Sequence, residues 1–540
     1  MLKKYNLLIL IILVAIFLRF WNLDKNPPSL TWDETAWGYN AYSLGIDGKD
    51  EFGRFLPLDY IESFGDFKPP VYAYLSILQV KLLGLNEFAV RFPSALFGVL
   101  TVLVTYFLTK RIFWSSKQKE LYSILSSLFL AISPWHIMLS RAAFEANVAT
   151  FFLATGVFLF LKGIQDKKQY VIFSIVSFII SIYTFNTARI VAPLLVLFLG
   201  FFFRKQLIEN KKQTFIAILV GIILILPTFR FLLSPQASLR FKEVNIFSDS
   251  SVVITANQEI ANDNNAFWSK ILHNRRFGYA LSYLRHYFDN FNPSFLFIKG
   301  DGNPKFSTQD VGQMYLWDLP FLVIGSLILF KKRTGFWWII PAWILIGILP
   351  AATARETPHA LRIETTLPTF QILVAYGFSQ FLLYIRSHSK LFKPVIIFLS
   401  FLLFANFFYF FRNYNVHYPY LFSGEWQYGY KDAIGYVKSV ESNYDKIYIT
   451  SDLGRPYIYY LFYTKTDPRT FRENSIVRRD VFGFVTVDGF GKYRFLNSST
   501  EIEKAGKKLF IKTPKSIPTD ANVKKTFYLL NNEAALVAYE

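Results

Sequence analysis

The sequence contains no cysteine. That absence excludes disulfides, thiolate metal sites and thiol redox chemistry, and it does not identify a compartment. Charge is scarce too: Asp, Glu, Lys and Arg make up 18% of the 540 residues, against about a quarter in an ordinary soluble domain. No Asp-x-Asp pair occurs, so the usual carboxylate clamp for a metal-bound nucleotide is missing. Neither a P-loop nor a G-x-G-x-x-G fingerprint is present. The six histidines, at 136, 273, 286, 359, 388 and 417, show no close ligand spacing, so no structural zinc site is evident. There is no internal repeat and no low-complexity tract.

What the chain has in abundance is apolar surface. Hydrophobic residues are 53% of it, with 59 Phe, 32 Tyr and 11 Trp. They come in long blocks. About 18 or more residues almost free of charge read as a membrane-spanning helix, because a bilayer core is about 30 Å thick and each helical residue rises 1.5 Å. Spans are predicted near 5–21, 89–112, 121–140, 145–162, 169–187, 189–203, 214–233, 314–330, 335–353, 364–385 and 394–413. The first, with its basic start, reads as an uncleaved span. The fold class expected is therefore an α-helical polytopic membrane protein with about eleven transmembrane helices.

The net charge of +20 follows the same topology. With the N-terminus placed in the cytoplasm, that tail and alternate loops carry 19 Lys and Arg. The short loops on the other face carry four: Arg141, Arg189, Arg355 and Arg362. The asymmetry matches the positive-inside rule and sets the C-terminus outside. A basic balance of this kind reflects orientation and contact with membrane lipids, with no nucleic acid as partner. Three long segments then face outward: 22–88, 234–313 and the tail 414–540. The tail changes composition. Patches "DKIYITS", "FGFVTV", "KKLFIKT", "TFYLLN" and "AALVAYE" read as strands, and "YGYKDAIGYVKSVES" as a helix before them. The domains expected are a membrane domain, 1–413, and a small extracytoplasmic α/β domain, 414–540.

The first outward segment opens with "LTWDETAWGYNAYSLG" (30–45). Thr31 and Glu34 have capping-box spacing, predicting a helix from Trp32 to Leu44 with Gly45 as its stop. Glu34 is then either a cap or a functional acid. Asp33 lies in the first turn, where the helix dipole favours a negative charge. It is either a stabilising charge or an ionised base ready to accept a proton. Next comes "GDFKPPVYAYLSILQVKLLG" (65–84). Its prolines suit a helix start, and Val71, Tyr74, Leu75, Leu78 and Leu82 mark one apolar face of a helix too short to span. It is expected to lie in the interface. Lys68 stands just outside its N-terminus, where the dipole disfavours a cation, so an anion is expected beside it.

A carboxylate pair in the first outward loop, then "KPP", then "RFPSALFGVLTVLVTYFLTKRIF", resembles the C-superfamily membrane glycosyltransferases. The resemblance is to the branch of protein O-mannosyltransferases and aminoarabinose lipid A transferases. It continues in "SPWHIMLSRAAFEANVATFFLATGVFLFLKG" (133–163) and "YTFNTARIVAP" (183–193), covering roughly residues 1–230 well. It implies Asp33 as catalytic base, Glu34 as the second acid of the pair, and Glu145 as a later acid of the active site. Two departures stand: Phe67 precedes Lys-Pro-Pro where many relatives have His, and Glu145 stands where many have Asp. They bear on metal use and acceptor choice rather than on reaction class. A divalent ion shared by Asp33 and Glu145 is left open.

The donor so implied is a sugar on a polyprenyl phosphate, and the acceptor a hydroxyl of a lipid, glycan or protein. The acceptor attacks the anomeric carbon, Asp33 takes its proton and configuration inverts. Lys68, Arg189, Arg355, His359 and Arg362, at outward span ends, are the candidates for the donor phosphate. The alternative is a transporter or a flippase for lipid-linked glycans. That reading predicts charge at mid-span and broken, repeated helices, whereas here the charges cluster at one face.

Overall fold

The computed structural model describes residues 2–540 apart from 235, 236, 238–244, 389, 480–484, 497–501 and 504. Part of the second long segment, and residues 482–484 of the "FGFVTV" patch, thus lie outside the described residues. The chain is mostly helical, with a sheet in its C-terminal region. Each predicted span falls on a helix, the 121–140 span on a bent pair. Among the described residues four helices are long and apolar enough to cross a membrane: Glu87–Ile112, Glu145–Gln165, Lys211–Leu232 and Phe392–Phe422. The pair Lys119–Ala131 and Pro134–Arg141, bent by 54°, makes a fifth if it is one span. Tyr5–Phe20, Tyr170–Ile182, Ala188–Phe202 and Ile339–Thr353 are shorter apolar helices. Composition alone merges such a helix with the apolar turn beside it. Lys211–Leu232 and Phe392–Phe422 are strongly apolar yet only 17% and 6% buried, which marks them as lipid-facing.

The chain forms two compact units. The first comprises residues 1–15, 97–139 and 146–408. Within it Asp318–Lys332 packs on Thr369–His388 almost backbone to backbone. A Cβ on Gly377 would sit 2.0 Å from the Phe321 carbonyl oxygen, and one on Gly325 2.3 Å from that of Leu373. Small residues permit this approach, which is how apolar helices associate without a hydrophobic driving force.

The second unit comprises residues 16–96, 140–145 and 409–540. The composition boundary at 413/414 therefore does not coincide with the division into units: the first long segment shares a unit with the tail. The reason is a helix that the patch reading passed over, Pro456–Thr464, whose sequence "PYIYYLFYT" is mostly buried. Tyr459 donates to the Leu30 carbonyl at 3.1 Å, and Tyr39 to that of Thr466 at 3.1 Å. Arg479 forms a two-pronged pair with Glu62 at 2.5 and 2.8 Å.

In the first long segment, Ile61–Ser63 (β1) and Asp66–Lys68 (β2) make a hairpin. The tail strands are Lys446–Thr450 (β3), Ser475–Arg479 (β4), Val485–Phe490 (β5), Tyr493–Leu496 (β6), Lys508–Lys512 (β7), Val523–Tyr528 (β8) and Ala534–Tyr539 (β9). They form one sheet in the order β4-β5-β6-β3-β7-β9-β8. Central β3 is parallel to β6 and β7, and the outer pairs are antiparallel. The five patches fall on β3, β5, β7, β8 and β9, and the expected helix is Tyr430–Val440. Strands β4 and β6 carried no patch.

Candidate active site

The Trp32–Asp47 helix begins with the capping box that its sequence predicts. The Glu34 N–H donates to the Thr31 hydroxyl at 3.3 Å, and the Thr31 N–H to Glu34 Oε2 at 3.0 Å. The helix outruns its expected stop by about a turn: Gly48, at φ 73°, takes the left-handed cap, and Gly45 stays helical. One face packs on the Val71–Leu83 helix, and a Cβ on Gly38 would lie 2.5 Å from Phe462 and Val90 side-chain atoms. Leu78 and Leu82, on the predicted apolar face of Val71–Leu83, are 60% and 73% exposed. That face is free to meet lipid.

Glu34 points inward and is fully buried. Its Oε1 accepts from Arg91 Nε at 2.9 Å and from the Ala143 backbone N–H at 2.9 Å. Arg91, also fully buried, spends its remaining donors on the carbonyls of Leu23 (3.1 Å), Pro27 (2.8 Å) and Ser29 (2.5 Å). Arg141 does the same for Leu18 (2.9 Å), Trp21 (2.8 Å), Asn22 (3.3 Å) and Asn26 (2.8 Å). Glu145 lies one turn beyond Arg141, but these guanidinium nitrogens go to the carbonyls. Two arginines thus hold the whole approach to the motif.

Asp33, the next residue along, is half open, with its side chain 49% exposed. Its Oδ1 accepts from Lys68 Nζ, a buried ammonium packed 5.2 Å from the Trp37 ring and 5.6 Å from that of Phe64. The anion expected beside Lys68 is therefore the motif's own carboxylate. The β1–β2 hairpin delivers it: Phe64 and Gly65 at its tip have φ 63° and 81°, and Lys68 ends the return strand. Burial disfavours the Lys68 ammonium, but Asp33, with Asp66 and Glu145, outweighs that cost and holds its pKa above the usual range. Glu145, the first residue of its helix, belongs to this unit and to this charge cluster. Among the described residues no group of three or more His, Cys, Asp or Glu side chains is arranged to hold a metal ion. Lys68 supplies the positive charge among three carboxylates.

The other sequence candidates lie in the first unit. Arg189 has its guanidinium 5.3 Å from the Phe231 ring. Arg355 is exposed, with Nε 3.4 Å from the Asn245 carbonyl. Arg362 donates to the Glu356 carbonyl at 3.2 Å. His359 needs a correction as a cation. It is buried, with Nδ1 3.8 Å from Asp301 Oδ2 and its ring 4.9 Å from that of Phe306. Burial, with the nearby positive Arg362, lowers its pKa to about 3 and leaves it neutral at pH 7. Sequence reasoning missed Arg91 and Asp66, and counted Arg141 only as an outward-loop charge. A signal existed for Arg91, an ionisable residue inside an apolar helix, which needs a partner by default.

Residues 9–209 match the family of dolichyl-phosphate-mannose-protein mannosyltransferases. An uncharacterized protein of Aquifex aeolicus is 29% identical over 216 residues, which are 39% of this chain; the chain spans 40% of that relative's length. ArnT from Cupriavidus metallidurans superposes with a TM-score of 0.55 at 14% identity, covering 99% of this chain and 98% of its own. The Archaeoglobus fulgidus oligosaccharyltransferase, tethered with an acceptor peptide, gives 0.51 at 14% identity, covering 85% of this chain and 63% of its own. This chain therefore shares its overall fold with these two proteins.

Proposed function

We propose that the protein is an inverting glycosyltransferase that moves a sugar from a polyprenyl phosphate to an acceptor hydroxyl of a lipid, glycan or protein. The observation that carries this reading is Asp33: an open carboxylate at a helix start, held through one oxygen by a buried lysine. Oδ1 is anchored on Lys68, and Oδ2 is the atom offered to the acceptor. As the acceptor oxygen bonds to the anomeric carbon, the bond from that carbon to the donor phosphate breaks on the opposite face. Asp33 takes the hydroxyl proton, and the lipid phosphate leaves without needing one. Glu34 is a positioning residue that fixes the helix carrying Asp33. Glu145 sets the potential at Lys68 and Asp33. Arg189, Arg355 and Arg362 are assigned to the leaving phosphate, where guanidinium groups give charge-assisted bonds.

Support for the donor class comes from ArnT, whose structure has been solved bound to undecaprenyl phosphate. The protein is placed in the cytoplasmic membrane, with the Asp33 site and the tail on the outer face. The test is to incubate purified wild type and Asp33→Asn with a panel of lipid-linked sugars and mass-analyse the products. Transfer by wild type and its loss in the variant, with donor binding kept, is expected. Equal turnover by Asp33→Asn rejects the assignment of the base.

A further inference from the structure

The tail carries a groove of about 660 Å³ that takes no part in the Asp33 site. One wall is a single face of the Tyr430–Val440 helix, with Asp432, Gly435, Tyr436 and Ser439. The other is β8, the outermost strand of its sheet, and the turn after it. This volume is typical of small-molecule sites.

Gly435 is the unusual residue. It sits in mid-helix, and nothing lies within 4 Å of the position its Cβ would occupy. Neither a turn nor close packing requires glycine there, and glycine is the poorest helix former after proline. Its effect is an open floor. Tyr436 and Tyr528 line it with hydrogen-bonding groups, and Phe527, 3% exposed, lies beneath. The Tyr436 ring lies 5.8 Å from that of Phe527, and the Lys525 ammonium lies 5.3 and 5.6 Å from these two rings. Tyr528 is 54% exposed at the rim, beside Asn532 in the turn.

We infer that this groove binds an oligosaccharide chain. A pyranose ring is amphipathic in the manner this surface answers. Its C–H face is weakly positive and packs on the negative face of an aromatic ring. Its equatorial hydroxyls need partners of both senses, which Asp432, Ser439, Asn532 and Lys525 supply. A purely apolar occupant would leave those polar groups unmatched. The site is independent of the transfer reaction and stands whether or not Asp33 is a base.

The test uses the full chain in nanodiscs, which avoids sugar-headed detergents. Linear tetrasaccharides of mannose, glucose and N-acetylglucosamine are titrated and followed by saturation-transfer NMR. At least one is expected to bind wild type and Asp33→Asn alike. Tyr436→Ala, which removes a stacking ring, is expected to weaken it about ten-fold. Gly435→Leu is expected to abolish binding by filling the floor while leaving the fold intact, since leucine favours the helix and its Cβ meets no neighbour. Failure of all three sugars to bind wild type, binding by Gly435→Leu equal to wild type, or capture of an extended peptide on β8 in place of a sugar each overturn the inference.

Discussion

Glu34 and Arg91, 57 residues apart in sequence, meet at 2.9 Å with neither side chain exposed to solvent. Removing one partner of such a pair leaves a buried charge uncompensated, which costs about 3–5 kcal/mol. Glu34→Ala and Arg91→Ala are each expected to lower the melting temperature and the yield of folded protein. The double change Glu34→Gln with Arg91→Met is expected to recover part of that loss. Circular dichroism melts of the four proteins check this.

Asp33→Asn is expected to lower turnover by about 10²–10⁴, the usual worth of a general base, and to lower the melting temperature modestly, because the buried Lys68 ammonium loses its nearest counter-charge. Lys68→Met is expected to lower turnover and, because Lys68 is buried among carboxylates, stability as well. The Lys68 pKa lies above its unfolded value. Its stabilising contribution is therefore complete below about 10.5 and lost as pH rises through the higher folded value. The separation between the melts of wild type and Lys68→Met should begin to narrow as pH rises past about 10.5.

Glu51 has the same sign, with its window inside the accessible range. It is fully buried, receives the Asn40 amide at 3.2 Å, the Ser63 hydroxyl at 3.1 Å and the Tyr457 hydroxyl at 3.3 Å, and burial raises its pKa to about 8. The unfolded chain ionises Glu51 near its usual 4.5, whereas the folded chain holds the proton to about 8. Stability from this group is full below the lower value and is lost as pH rises towards the upper one. Glu51→Gln is expected to flatten that slope, read as the melting temperature at pH 5 against pH 8.

Gly377→Ala is expected to abolish folded expression, because its Cβ would lie 2.0 Å from a backbone oxygen that cannot move aside. Gly200→Ala, with nothing within 4 Å, is expected to match wild type. Size-exclusion profiles distinguish the two.

The cysteine-free chain suits single-site labelling. If the Lys and Arg asymmetry sets orientation, Asp452→Cys in the tail reacts with an impermeant maleimide on intact cells. Lys117→Cys reacts only after permeabilisation. The reverse pattern would invert the proposed topology.

Local chemistry was readable from the sequence wherever its cause was local. Thr31 and Glu34 announce their box at a spacing of three, and Pro69 and Pro70 announce the Val71 start. The expected anion at Lys68 is real, because a cation at a helix start has a local cost. Its identity, Asp33, depends on how a hairpin returns, and no spacing encodes that. Arg91 and Ala143 reach Glu34 across 57 and 109 residues. The tyrosine-rich helix Pro456–Thr464 escaped notice because a segment buried nearly all round has no amphipathic period to detect. His359 was miscounted because charge at pH 7 follows from burial, which a single sequence does not display.

The carbonyls from Leu18 to Ser29 have a further consequence. A chain leaving a greasy helix normally relies on bulk solvent to satisfy its peptide oxygens, and solvent at a lipid boundary is patchy and shifting. Here two guanidinium groups do that job from within. The platform under Asp33 is thus held from within and does not depend on its bath.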